Sequence, residues 1–522
     1  MTTPDSTGKK PIGLATRAIR GAFWTSSPFL LQIGVRLVFF SDQGPAIMGL
    51  FDVALLLVMV LALLSDLGLW SALIQRRDVT DLHFSTAFWT CLCSGVVIAA
   101  LTSRFGAQAI VSVTVGIGYL VGLAELGPIA GPATHATAVH AGAGEYAPIL
   151  ATMSLLLPCA AVSGLFRARL QRELLFRQIA FAEVGSVVVY SIFTLAMMDS
   201  LGIRSLVIGA VVREAALLLG LIITARWLPR LEFSSTALLQ ILRFGLNFTG
   251  SRAIGFASNA LPALVILSAL GEGAVGYFNF AVGLTLMPLT RISTVLTRIF
   301  FPAFSMVQED DAMLRRGYLK TAQSIALFFW PALVVIFVFA PDGISIMTGV
   351  KGHDFSPALL PLRLLVVATM LKSVGTGVGS MFLAKGKANW TLYWSLFSMA
   401  VLLPLLLWNA HDLVGVTTVI AATGLLFLVL SQILTNRLIG LRFSQYLGAL
   451  ARPALVTSFV LVSALVVRPL LPGEALAVCL QAMVTSALLG SLALRLFAWE
   501  LCTGLWRSLR GHTAVNGTAG TA

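Results

Sequence analysis

Residues 48–64 form a run of about seventeen residues whose sole charge is Asp52, and with its flanking turns it is long enough to cross roughly 30 Å of hydrocarbon as a helix. A run of this kind reads as a membrane span. Ser65, Asp66, Gly68, Gln75, Arg76, Arg77, Asp78, Thr80 and Asp81 follow as a compact polar hinge, and a second apolar run starts at Ala87 and continues to about residue 102. The chain enters, turns on two arginines and returns. Short loops rich in Lys and Arg stay cytoplasmic, so Arg76 and Arg77 orient this hairpin and every span counted from it.

Composition extends the reading to the whole chain. Hydrophobic residues are 58% of the 522 and charged residues 11%, and the mean hydropathy is +0.92, outside the range of soluble domains. At about 35 residues per span plus loop, there is room for about fourteen helices and no sizeable soluble domain. The fold class is therefore an all-α polytopic membrane protein. The net charge of +13 comes from short basic clusters between apolar runs, as membrane topology requires and a nucleic-acid groove does not. Five cysteines, all in or beside apolar runs, have no metal-ligand spacing and read as packing residues. The basic start and the lack of a small-residue cleavage site argue against a removable signal peptide.

Every even-numbered span in this count ends in a basic cluster, for example Arg167, Arg169, Arg172 and Arg177 after the fourth. Both termini are then cytoplasmic. The expected organisation is a tail (1–20), a first lobe of six spans (21–230) with an outer loop at 104–146, a second lobe of six (231–442), two more spans (443–500) and a tail (501–522). The outer loop is read as an excursion carrying a membrane-lying or re-entrant helix. Within it His135 and His140 lack useful metal geometry.

The lobes read as parallel copies. Gly49-Leu50-Phe51-Asp52-Val53-Ala54 in the second span and Gly276-Tyr277-Phe278-Asn279-Phe280-Ala281 in the eighth share the pattern Gly, apolar, Phe, Asp/Asn, apolar, Ala. Internal repeats of this kind mark many transporter folds, and they predict two lobes facing each other across a cleft.

The hairpin SDLGLWSALIQRRDVTDLHFSTAFW resembles the segment joining the second and third helices of Wzx-like flippases of the polysaccharide transport family, in the superfamily that also holds MATE exporters and lipid II flippases. The likeness recurs in GLFRARLQRELLFRQIAFAEV, ILRFGLNFTGSRAIGFASNAL and AVGYFNFAVGLTLMPLTRISTVLTRIFFPAFSMVQEDDAMLRRGYLK, and it fades after about Trp390. It implies a bacterial inner-membrane protein that moves undecaprenyl-diphosphate-linked oligosaccharide between leaflets for exopolysaccharide, capsule or O-antigen assembly. Its implied partners are that lipid, the bilayer, a polymerase and export machinery, with proton or cation coupling and no cofactor. Members often carry an Asp and, six residues on, an Arg late in the seventh span, where this chain has Pro262 and Ser268. An Arg common early in the eighth span is Gly283 here, with Arg291 further along.

A charge in mid-bilayer costs roughly 2.5–3.5 kcal/mol on insertion scales, so it is expected to face a cavity or a partner. The candidates are Arg36, Asp52, Arg213, Glu214, Arg252, Arg291, Arg363 and Lys372, and their basic excess suits an anionic diphosphate that Arg holds bidentately. Arg252, Arg291, Arg213 and Lys372, with Asn259, are the expected cavity residues. Asp52 and Glu214 are candidates for coupling. Arg213 and Glu214 are adjacent and point apart on a helix, which makes Asp52 the expected partner of Arg213. Arg36 and Arg363, near span ends, are open to a snorkelling reading. Asp66 with Arg76 and Arg77 reads as a clamp at the cytoplasmic gate, and Pro262, Pro288, Pro331 and Pro404 as bending points.

No nucleophile with a base, Walker-type GxxxxGK[ST] or acidic metal cluster is visible, so an enzyme is not expected. Two alternatives remain. A MATE-like extruder of small cations would favour an acidic cavity; a membrane polysaccharide polymerase or ligase would carry an outer loop rich in Arg or His.

Overall fold

The computed structural model describes residues 28–76, 78–124, 144, 146–173, 175–306, 310–470 and 481. Both expected tails, Arg77, His135, His140, Cys479, Cys502 and all of the last expected span but Gln481 lie outside these residues, as do the side chains of 291–306. Hydrocarbon offers no hydrogen-bond partners, so a chain this apolar satisfies its backbone within helices. Every regular element among the described residues is helical, and ten helices are long and apolar enough to cross a membrane.

In chain order the helices are α1 (Pro28–Ser65), α2 (Leu69–Gln75), α3 (Asp81–Ala124), α4 (Tyr146–Arg172), α5 (Phe176–Ala196), α6 (Ile203–Ala225), α7 (Ser235–Met306), α8 (Asp311–Lys351), α9 (Leu359–Val374), α10 (Val378–Ala384), α11 (Ala388–Trp408), α12 (Leu413–Ile439) and α13 (Phe443–Val467). Two of them are double. α1 passes through Gly44 at φ 80°, and α7 through Gly271 at φ 82°, a left-handed conformation that glycine adopts without a Cβ clash. Pro45 then opens the second limb of α1, where its missing N–H costs nothing. Each limb of α1 and α7 corresponds to one span expected from the sequence.

The two double helices cross each other at the turn end of the molecule. A β-carbon added at Gly49 would overlap the carbonyl oxygen of Glu272, and one at Gly276 would overlap that of Pro45. This contact is reciprocal, because one interval of sequence separates Gly44 from Gly271, Pro45 from Glu272 and Gly49 from Gly276. The limbs are therefore related by a pseudo-two-fold, as the short repeat predicts. Around the crossing one apolar core joins Phe39, Phe40 and Phe51 to Val265, Phe278, Phe280 and Phe355, with Phe40 and Phe280 edge to face at 5.6 Å. Lys351 pairs with Asp42, and the His353 imidazole lies 3.2 Å from the Asp42 carbonyl.

At the opposite, hinge end, α2 buries Leu69, Ala72 and Leu73 against Phe84, Leu165 and Ile241. Gly68, at φ 66°, lets the hinge backbone touch the carbonyl of Gly245 on α7. Asp310 caps α8 by accepting from the Ala312 and Met313 N–H groups at 2.9 and 3.0 Å.

Two expectations are corrected. The third span does not end near residue 102 in a loop: α3 continues unbroken for 44 residues to Ala124, about 66 Å at 1.5 Å per residue. Arg104 was read as a boundary, yet an exposed charge does not stop a helix, and the glycines beyond it cost only about 1 kcal/mol each. Pro331 and Pro404 sit inside helices; the tenth span, expected to run over about 357–383, instead breaks at Gly375-Thr376-Gly377, between α9 and α10.

Candidate functional site

Because α1 folds back at Gly44, residues equally far from that glycine lie side by side at one depth. Arg36 and Asp52 are such a pair, eight positions to either side and sixteen apart, which places them about 12 Å along each limb from the turn. Arg36 Nη2 donates to both carboxylate oxygens of Asp52, at 2.6 and 2.5 Å. Asp52 is buried at 7% exposure, and the Asn279 side chain of α7 lies beside the same carboxylate. Asp52 and Asn279 are the repeat partners, so the pseudo-two-fold brings a copy from each half to one point.

A cavity of about 190 Å³ opens beside this pair. Gln32, Arg36 and Phe40 wall it from the first limb of α1, Phe51 and Met59 from the second, Tyr190 from α5, Arg213 from α6, and Phe280, Gly283 and Met287 from α7. Arg36 and Arg213 are the charged residues among the described lining. Their acidic counterparts lie behind the wall: Glu214, 7% exposed, reaches Arg213 Nη2 at 3.7 Å.

Arg213 therefore pairs with its neighbour Glu214, and Asp52 with Arg36, reversing the pairing expected from the sequence. Helical neighbours point about 100° apart, but an arginine is long enough to curl back where hydrocarbon offers no other anion. Arg36 does not snorkel; Asp52 holds it inside. Arg363 stays on its own helix bundle, donating to the Phe337 carbonyl at 3.3 Å.

The other candidates are distributed elsewhere. Arg252 lies at the hinge end, 3.9 Å from Asp66 and over the Trp70 ring at 5.7 Å. Asp66 accepts from the Gly68 N–H at 2.6 Å and from Trp70 Nε1 at 3.1 Å. Burial pushes its carboxyl above the ordinary carboxylate value, against the pull of the Gly68 N–H, Arg252 and Trp70. Arg76 donates to the Gln240 carbonyl at 3.3 Å. The hinge thus clasps the start of α7 through Arg252 and Gln240. Asn259 is exposed and donates to the Gly255 carbonyl at 2.7 Å; Lys372 is exposed near the break after α9. Arg291 falls among the undescribed side chains. No cluster of three or more His, Cys, Asp or Glu able to hold a metal occurs among the described residues.

Sequence reasoning missed Arg36 as the partner of Asp52, and Tyr190 altogether. The signal for Arg36 was present: it and Asp52 are equidistant from the SDQGP turn. For Tyr190 no comparable signal exists, since its place depends on how α5 packs.

Residues 44–118 and 136–357, more than half of the chain, match the family described as Polysaccharide biosynthesis protein. The chain belongs to this family. It is 25% identical over 466 residues to the lipopolysaccharide biosynthesis protein WzxC of Escherichia coli (strain K12), covering 86% of this chain and 88% of that protein. Its fold is similar to that of the lipid II flippase MurJ in an inward closed conformation, with a TM-score of 0.70, 13% identity, and coverage of 94% of this chain and 100% of that one. An inward-facing MATE family transporter of the MOP superfamily gives a TM-score of 0.58 at 19% identity, covering 80% of this chain and 94% of that one. This polysaccharide biosynthesis family member is thus similar in sequence to WzxC and similar in fold to MurJ and to a MATE transporter. The family match takes in Asp52, Arg213, Glu214, Asn279 and both kink glycines, while Arg36 precedes it and Lys372 follows it. Gly283, where the resembling flippases often carry arginine, lines the cavity without a charge. In this member Arg36 and Arg213 supply it.

Proposed function

We propose that this chain is a flippase that moves undecaprenyl-diphosphate-linked oligosaccharide repeat units from the cytoplasmic to the periplasmic leaflet of the bacterial inner membrane. The polymer served is exopolysaccharide, capsule or O-antigen. In this reading the chain has fourteen spans, two six-helix lobes followed by two further helices, with both termini cytoplasmic. The Gly44 end then faces the periplasm and the arginine-rich hinge the cytoplasm. A polymerase and export machinery would take up the product.

The observation that carries the proposal is the sign of the charge on the cavity wall. Arg36 and Arg213 face the space while Asp52 and Glu214 lie behind them, so an entering group meets guanidinium first. That suits a diphosphate, which arginine grips with two parallel N–H donors, and it disfavours an extruder of cationic drugs. The volume of about 190 Å³ is below the roughly 300–1,000 Å³ of sites that enclose a drug-sized ligand. The two lobes must therefore part to admit a sugar, with the Lys351–Asp42 and Gly49–Gly276 contacts closing one side and Arg252–Asp66 standing at the other. Arg252, Arg291, Lys372 and Asn259 are proposed to line the widened path, with Asp52 and Glu214 as sites for a coupling proton or cation.

Deletion tests this reading. A strain lacking the protein should lose surface polymer and accumulate lipid-linked repeat units, and Arg213→Ala should reproduce the defect with the protein inserted and abundant. Units that accumulate in the periplasmic leaflet, where a polymerase or ligase would consume them, instead of the cytoplasmic leaflet would point to such an enzyme.

A further inference from the structure

Asp52 does not use Arg36 as a carboxylate ordinarily uses arginine. Both of its oxygens rest on the single nitrogen Nη2, at 2.6 and 2.5 Å, whereas the strong arrangement engages two guanidinium nitrogens side by side. Arg36 Nε is buried with no hydrogen-bond partner among the described residues. The guanidinium is partly exposed to the cavity, its side chain 20% accessible against 4% for that of Asp52. One cation thus touches two places at once: a carboxylate fixed behind the wall and the cavity in front, with part of its donor set unused.

Asp52 has the means to let go. The Asn279 side chain of α7 lies beside the carboxylate, so a second polar group is at hand when Arg36 leaves. Facing the pair are Tyr190 of α5 and Arg213 of α6, whose charge reaches Tyr190 together with those of Arg36 and Asp52. Arg213 is itself held by Glu214 from behind. Each cavity arginine is neutralised by an acid that the cavity does not expose.

From this geometry we infer that Asp52 is an internal substitute anion, occupying Arg36 while the cavity is empty and displaced when a diphosphate takes the guanidinium fork. The inference rests on the flippase reading and adds to it how the site releases its cargo. A bare arginine pair would hold a diphosphate tightly. A tethered carboxylate competes for one of the two, keeps affinity moderate and returns to Arg36 as the head leaves.

The test is equilibrium binding of undecaprenyl diphosphate to the full chain in lipid nanodiscs, with inorganic pyrophosphate as the water-soluble probe, alongside polymer export in cells. Asp52→Asn keeps the shape and removes the competitor; it should bind undecaprenyl diphosphate at least about tenfold more tightly, equivalent to about 1.4 kcal/mol, while exporting less polymer. Asn279→Asp adds a second carboxylate beside Arg36 and should weaken binding. Arg36→Ala, alone or with Asp52→Asn, should bind weakly to the same extent. Pyrophosphate should follow the same order, since the diphosphate is the recognised group. Unchanged or weaker binding by Asp52→Asn, in protein that elutes as wild type does, overturns the inference. So does a misfolded Asp52→Asn accompanied by Asn279→Asp that binds as wild type. In either case, lipid-linked units accumulating in the cytoplasmic leaflet of the deletion strain leave the flippase reading intact. If that strain accumulates none and the wild type binds neither probe, the flippase reading itself has failed.

Discussion

Arg36 and Asp52 carry opposite charges and, in the empty cavity, neutralise each other. Removing one partner of a buried pair leaves an uncompensated charge and costs about 3–5 kcal/mol, whereas replacing both with apolar residues of similar volume is often close to neutral. Arg36→Met should therefore lower the unfolding midpoint of the purified protein clearly, and Arg36→Met with Asp52→Leu should recover most of the loss in a double-mutant cycle. Lys351 gives a prediction of a different kind. The Asp42 carboxylate beside it raises its ammonium above the ordinary lysine value and is itself held below the ordinary carboxylate value by Lys351, so the pair contributes fully between about pH 4 and about pH 10.5 and is lost as the pH moves beyond either end. The difference in thermal stability between wild type and Lys351→Met should stay flat from about pH 6 to pH 9. A difference that shrinks steadily across that range would contradict the assignment.

Among elements, the crossing of α1 and α7 is the most sensitive point. Gly49 and Gly276 each face a carbonyl of the opposite limb, with no space for a methyl group. Gly49→Ala and Gly276→Ala should each destabilise the protein by about 1–3 kcal/mol, the range for forced overpacking, and because the contact is reciprocal the two values should be alike. At the start of α8, Asp310→Ala should cost about 1 kcal/mol through loss of its two capping bonds, measured by denaturant unfolding. The helices themselves were legible from apolar run length, because hydrocarbon leaves the backbone no alternative to helix. Their ends were less so. Arg104 looked like a boundary and is not one, since α3 runs on past the thickness of a bilayer, and the break at Gly375-Thr376-Gly377 follows from residues that elsewhere in the chain sit within helices.

At the scale of the molecule, the short match between residues 49–54 and 276–281 corresponds to reciprocal contacts at Gly49 and Gly276, where α1 and α7 cross. The candidate site was only half legible. Asp52 and Asn279 stood out as a repeat pair and Arg213 as an intramembrane charge, but Arg252 was expected in a cavity and lies at the hinge. Which face of α7 meets which lobe depends on packing between distant segments, and helical periodicity does not encode it. The family match and the arginine-lined cavity are the two supports of the proposed transport of an anionic lipid-linked sugar. The measurement that tests this most directly is translocation in sealed vesicles reconstituted with the purified chain, using an undecaprenyl-diphosphate-linked oligosaccharide and an added enzyme that reaches only the outer leaflet. The account predicts that the wild type exposes the inner pool to the enzyme and that Arg213→Ala does not; wild-type vesicles no faster than protein-free ones would contradict it.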